Sequence, residues 1–398
     1  PPPPPPPPPS FFLLQGKWHL GTNEYLPVHH GFDFQYGAPM TQNECRSNIA
    51  SPGACLDGCH FGPCPIYNGS DGRIHAQIAE GQGLYDMMDV DSLYDQFAND
   101  FIRNATAHQQ PFFMYFCSHH THVPQFSDAA MTGYSKRGLQ GDSLAMVDRS
   151  VGRIMQLLEE LNIQNNTLVI FSADNGGARW WGPDTGGVAG ELRCGKSCTW
   201  EGGHRVPTMA WWPGMLEPNT VNTELYTALD WFPTFATLAG YKLDPAVTYD
   251  GFDISASLFQ GQPSPREYFF YHHTGEVADG KPLLMAVRNK QYKLHMYTKG
   301  SHRPPTGRAN WTYPDSKCTE PLANLTNDPV LFDLARDCGE TVPRTPCPGF
   351  NGSFPYPSDW HSGCMSPDEY AQVMQDLTQA YKKHWLVLTK KKKDDEEE

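Results

Sequence analysis

The sequence predicts an α/β protein: a mixed sheet flanked by helices, followed by a smaller subdomain built on an antiparallel sheet. Three observations lead there. Leu168-Val169-Ile170-Phe171 is a short apolar run that ends abruptly in Asp174-Asn175-Gly176-Gly177, the profile of a buried central strand meeting its loop. The stretch before it, 142–161, carries apolar residues at helical spacing, so helix runs into strand as in a parallel sheet. After about Ser264 the rhythm changes to short strand-like runs with tight connections.

The chain has 398 residues, 39% hydrophobic and 19% charged, with a formal net charge of −14. That composition belongs to a folded globular protein. No basic stripe marks a nucleic-acid surface, so nucleic acid is excluded as the main partner. No run approaches the ~20 apolar residues of a membrane-spanning helix. Eleven cysteines are present, four of them clustered at Cys45, Cys55, Cys59 and Cys64. Their spacings do not give two zinc-type pairs, which favours disulfides over a zinc site. Six N-x-S/T sequons, at Asn68, Asn104, Asn165, Asn310, Asn324 and Asn351, fit glycosylation in an oxidising compartment: the secretory pathway, and from there lysosome or exterior.

Residues 1–10 read as a low-complexity polyproline segment with no share in a core. An α/β core is expected over 11–262, a subdomain over 263–388, and a charged, disordered tail over 389–398. The core opens on an apolar run, Phe11 to Leu14, which ends in Gly16-Lys17-Trp18-His19-Leu20-Gly21. In extended chain Lys17 and His19 face the same side, where they could hold an anion and move a proton. A helix is predicted over 89–109, with Leu93, Phe97 and Phe101 on one face, and a strand over 112–117. That strand runs into Ser118-His119-His120-Thr121-His122-Val123-Pro124, where one functional histidine with two bystanders is a better reading than a shared metal site. In the next helix Leu144, Val147, Val151, Ile154, Met155 and Leu158 form the apolar stripe, with Asp142 as N-cap. Asp174 and Asn175 then offer hard oxygen atoms at a strand end, suited to Ca²⁺ or Mg²⁺. Lys196, beside Gly195 in a loop, suits contact with an anion. A strand at 206–212 and a helix at 229–239, stopped by Gly240, close the core. A last helix is predicted over 368–387.

The segments GKWHLG at 16–21, SHHTHVPQF at 118–126, FSADNGG at 171–177, and LRCGK followed by EGG between 192 and 203 occur in the order of the formylglycine-dependent sulfatases. Together they resemble that family, most closely its arylsulfatase A branch, from about Gly16 to Gly339. The resemblance implies an alkaline-phosphatase-like fold and hydrolysis of sulfate esters. It implies a divalent metal, usually Ca²⁺, held in part by Asp174 and Asn175. Lys17 and Lys196 would neutralise sulfate oxygens, and Thr41 would contact sulfate. His122 would protonate the leaving alcohol, and His19 would take the proton as the aldehyde re-forms. Disulfides Cys194–Cys318, Cys45–Cys64 and Cys55–Cys59 are implied likewise. The expected partner is a sulfated small molecule, glycolipid or glycan; a homo-oligomer is compatible.

The family's Asp-Asp metal pair and C-x-P-S-R nucleophile motif are absent: none of the eleven cysteines is followed by x-Pro-Ser-Arg. The expectation is therefore a sulfatase whose N-terminal segment is not in this chain, so that the chain has no formylglycine turnover. The alternative is an inactive sulfatase-like protein that binds sulfated glycans or a protein partner.

Overall fold

The computed structural model describes residues 10–46, 61–63, 65–77, 90–179, 186–273, 283–300, 318, 320–341, 343–347 and 364–397. The polyproline segment and the sequons at Asn310 and Asn351 lie outside them, as do Cys55, Cys59, Cys64 and the side chain of Cys45. The chain forms two compact units, Pro1–Leu168 with Trp181–Gly186, and Val169–Trp180 with Gly187–Glu398.

The first unit is built on a five-stranded mixed sheet. Phe11–Gly16 lies between Phe34–Gly37 and Phe112–Cys117 and runs parallel to both. Tyr67–Ser70 and Arg73–Gln77 extend the sheet antiparallel beyond Phe34–Gly37. Leu13 and Leu14 are buried, as inner positions of a strand with two neighbours must be. Because Gly16 is in register with Cys117, the two parallel strands end together. The loops that follow, Lys17–Gly21 and Ser118–Val123, therefore leave the sheet side by side; the Lys17 amide donates to the Cys117 carbonyl at 2.8 Å.

The helix Val90–Ala107 packs Tyr94, Ala98, Phe101, Ile102 and Ala105 inward. The following helix spans Gly138–Glu160, four residues earlier than expected at its start, which corrects the role of Asp142. Asp142 does not cap this helix; its carboxylate accepts from the amides of Gly133 and Ser135 at 2.8 and 2.7 Å, fixing the preceding turn. The buried face is also rotated from the predicted stripe. Leu158 is buried as expected, but Leu144 is exposed and Val147, Val151, Ile154 and Met155 are half-buried, while Ser143, Met146, Ser150 and Leu157 are buried.

In the second unit, Val169–Ser172 pairs antiparallel with Thr208–Trp211. This corrects the expectation of a fully buried strand: Val169, Ile170 and Phe171 are only half-buried. Among the described residues the strand has a single neighbour, so one of its edges gains no cover from a ladder. A separate four-stranded antiparallel sheet has the order Phe269–His273, Leu283–Arg288, Tyr292–His295, Val330–Asp333. The helix Pro367–Glu397 lies on it through Tyr370, Val373, Met374, Leu377 and Tyr381, against Val287, Leu294 and Met296. The run 389–397 continues this helix and is not a disordered tail. Proline is accepted in the helix Trp231–Leu238 at its third residue, and Gly240, with φ of 73°, ends it.

Candidate functional site

Lys17, His19, Thr41 and His122 belong to the first unit; Asp174, Asn175 and Lys196 belong to the second.

In the first unit the paired strand ends bring Thr41 and His122 together. The Thr41 hydroxyl lies 3.2 Å from Nδ1 of His122, which lies 2.6 Å from the Val123 carbonyl. A carbonyl can only accept, so Nδ1 carries the proton, and Nε2 is the atom able to receive or deliver one. Gln42 fixes this turn. Its Nε2 donates to the carbonyls of His119 at 3.2 Å and His122 at 2.9 Å, and its Oε1 accepts from Nδ1 of His119 at 3.1 Å. His119 Nε2 in turn accepts from the Tyr94 hydroxyl at 2.9 Å. Burial, reinforced by the charges of Lys17, His120 and His122, pulls His119 down to about 3, so it is neutral. His120 is buried against the Asp91 carboxylate at 2.5 Å. The three histidines thus go to three different partners rather than to one site.

His19 departs from the expected geometry. Its φ is 56°, so the chain is not extended there and the same-side argument for Lys17 and His19 does not hold. The His19 amide is held by the Pro39 carbonyl at 3.0 Å, and its exposed ring meets Glu44 at 3.4 Å. Lys17 is half-buried, and its field reaches His119.

In the second unit three loops meet backbone to backbone. The Gly176 amide donates to the Gly203 carbonyl at 3.0 Å, and the Lys196 amide to the Gly177 carbonyl at 3.1 Å. A Cβ on Gly176 would stand 1.7 Å from the Gly202 carbonyl oxygen, and one on Gly195 2.1 Å from that of Gly177, so no other residue fits at either position. Asp174 is exposed, and Asn175 turns its Nδ2 onto the Gly176 carbonyl at 2.9 Å, which directs Oδ1 the other way. Cys194 and Cys318 are joined by a disulfide. Asn104, Asn165 and Asn324 are exposed and Asn68 is half-buried.

The fit of a divalent metal follows from the donors. Asp174 and Asn175 offer three side-chain oxygen atoms at most, whereas Ca²⁺ takes six to eight. Among the described residues the one cluster of three or more potential ligand residues is Cys194, Cys198 and Cys318, soft sulfur rather than hard oxygen. The described residues alone therefore do not make a calcium site.

Sequence reasoning missed the ionic core behind the Lys196 loop. Glu201, the acid of EGG, accepts from Lys293 Nζ at 3.1 Å and from Arg288 at 3.0 Å. Lys293 also lies 3.2 Å from Glu340, whose other oxygen accepts the Glu201 amide at 2.6 Å. His295 meets Glu340 at 2.7 Å. Burial opposes ionisation of Glu340, but Lys293 and His295 outweigh it and hold the carboxyl below its ordinary value. Burial likewise works against Lys293, and Glu340, Tyr271 and Glu201 more than reverse it. His204, one turn on from Glu201, is lowered to about 4 by burial and by Lys293. The available signal was Lys293 and His295 alternating within an otherwise apolar strand.

Residues 13–241 match the sulfatase family and residues 264–348 the C-terminal region of aryl-sulfatase. Arylsulfatase A of Homo sapiens is 40% identical over 82% of the chain, and N-acetylgalactosamine-6-sulfatase of Mus musculus 32% identical over 94%. The chain spans 63% of the length of that arylsulfatase A and 66% of that N-acetylgalactosamine-6-sulfatase. The crystal structure of the PsFucS1 sulfatase from Pseudoalteromonas sp. superposes with a TM-score of 0.75 at 24% identity, covering 96% of this chain and 71% of that one, which shows the shared fold. The family works in general with a metal ion and a formylglycine. The four motifs, the loops that carry them and these matches establish that the chain belongs to the sulfatase family, and within it resembles arylsulfatase A.

Proposed function

We propose that this chain recognises sulfate esters and belongs to a protein that hydrolyses them as a sulfuric ester hydrolase of the arylsulfatase type. The observation that carries the reading is the Thr41–His122 pair, held at the end of two parallel strands by Gln42 and standing in the unit that also carries Lys17. His122 has its Nδ1 proton committed to a carbonyl, so its Nε2, once protonated, is the group to deliver a proton to the departing alcohol. Lys17 and Lys196 would neutralise sulfate oxygens, Thr41 would donate its hydroxyl to them, and His19, whose ring meets Glu44, would take up a proton. Asp174 and Asn175 contribute a minority of the ligands of a Ca²⁺ or Mg²⁺ ion, which would polarise the sulfate when bound. Asp174 and Asn175 leave most of the coordination shell to other residues. The substrate class is a sulfated aryl compound, glycolipid or glycan, met along the secretory route, in the lysosome or outside the cell.

No cysteine of the chain stands in a C-x-P-S-R motif. That observation favours one further reading, a binder of sulfated glycans without turnover. Incubating the 398-residue chain with a chromogenic aryl sulfate tests the proposal. Saturable binding with no multiple turnover is the expected result. Metal-dependent turnover would show that the nucleophile is of another kind, and an absence of binding would remove sulfate esters as the ligand class.

A further inference from the structure

Cys198 is a buried thiol in the same apolar cluster as the Cys194–Cys318 disulfide, with Trp200, Phe332 and Leu334 around it. The three sulfur atoms all lie within 4.8 Å of one another. Cys194 and Cys198 sit on one tight turn, closed by the Cys198 amide donating to the Gly195 carbonyl at 3.2 Å. The Cys198 thiol points at the carbonyl of Cys318, with Sγ to oxygen 3.8 Å. Three sulfur donors could also serve a soft metal. The disulfide, however, already uses two of them and leaves one thiol, which favours sulfur exchange over metal binding.

We propose that Cys198 exchanges with Cys194 for Cys318, so that the chain holds two alternative disulfides on one turn. The Cys198 thiolate attacks Sγ of Cys318; the Cys198–Cys318 bond forms as the Cys194–Cys318 bond breaks. Cys194 leaves as thiolate and takes up the proton that Cys198 gave. One thiol and one disulfide enter, one of each leaves, and no oxidant or reductant is consumed. Burial raises the thiol of Cys198 above its ordinary value, against the charges of Lys299 and Arg179, so the thiolate is scarce and exchange proceeds from a small population. The exchange moves the covalent anchor from two residues before Lys196 to two residues after it. The consequence for sulfate binding rests on the role proposed above for Lys196; the exchange itself does not.

Tryptic mapping under non-reducing conditions resolves the two disulfides, because cleavage after Arg193, Lys196 and Lys317 puts each cysteine on its own peptide. The intact chain is equilibrated in a glutathione redox buffer, quenched in acid, freed of N-glycan and digested. Expected are two linked species, Cys194–Cys318 and Cys198–Cys318, the second abolished by Cys198→Ser. Finding Cys194–Cys318 alone after equilibration overturns the proposal. In Cys194→Ser, formed under air, Cys198 and Cys318 should be linked; alkylation of both as free thiols overturns it equally. Neither readout depends on sulfate, so failure of the exchange is distinct from failure of the functional reading.

Discussion

Replacing Lys293 by methionine tests whether the ionic core behind the Lys196 loop stabilises the second unit. The ammonium is fully buried, 3.1 Å from Glu201 and 3.2 Å from Glu340, and lies over the ring of Tyr271 at 4.3 Å. Methionine retains most of the packing on Tyr271 and removes the charge. Arg288 then still pairs with Glu201 and His295 with Glu340, but two carboxylates are left facing each other without the shared cation. Breaking a buried ion pair from one side costs about 3–5 kcal/mol. The remaining partners place the expected loss near the lower figure. Urea unfolding followed by circular dichroism measures it. Adding Glu340→Gln removes the second uncompensated charge, so the double variant should lose less than the sum of the two single ones by at least about 1 kcal/mol. A loss below about 1 kcal/mol for Lys293→Met, or additive losses in the cycle, would show that the ionic core does not stabilise the unit.

Three further outcomes follow from the same contacts. His119 titrates near 3 in the fold, against 6.5 when unfolded, so the unfolded chain binds the extra proton between those values. Its contribution is complete above pH 6.5 and is lost toward pH 3, by about 1.4 kcal/mol per unit; a His119→Gln variant should show a flatter fall of stability with acid, and an unchanged slope would count against this. Gln42→Leu removes the hydrogen bonds that Gln42 makes to Nδ1 of His119 and to the carbonyls of His119 and His122, although the His119 carbonyl keeps the His122 amide at 3.1 Å; the loss should cost about 1–3 kcal/mol in chemical unfolding, and no measurable cost would remove Gln42 as the clamp. Calcium titration of the chain by calorimetry should give binding weaker than micromolar, since Asp174 and Asn175 supply too few oxygens, and micromolar affinity would contradict that donor count.

Much of the fold was legible because its signals are local. Apolar runs mark the strands at Phe11, Phe112 and Val169, and their polar endings mark the loops that carry Lys17, His122 and Asp174. The support of those loops was not legible because it comes from far along the chain. Gln42 meets His119 from 77 residues away, and Lys293 meets Glu201 from 92. Side-chain identity also misled where packing or backbone overrode it. Asp142 looked like a helix cap and serves a turn instead, and the left-handed backbone at His19 breaks the alternation that put it beside Lys17. Cys198, one cysteine among eleven, gained meaning only from the disulfide next to it.

Recognition of sulfate esters, with Lys17 and Lys196 as the proposed cations, is the part of the proposal on which the rest depends. Isothermal titration of the 398-residue chain with an aryl sulfate, set beside the Lys17→Ala/Lys196→Ala double variant, tests it most directly. Saturable binding that competes with inorganic sulfate and is lost in the double variant is expected. Equal binding by the double variant, or none by the unaltered chain, would contradict it.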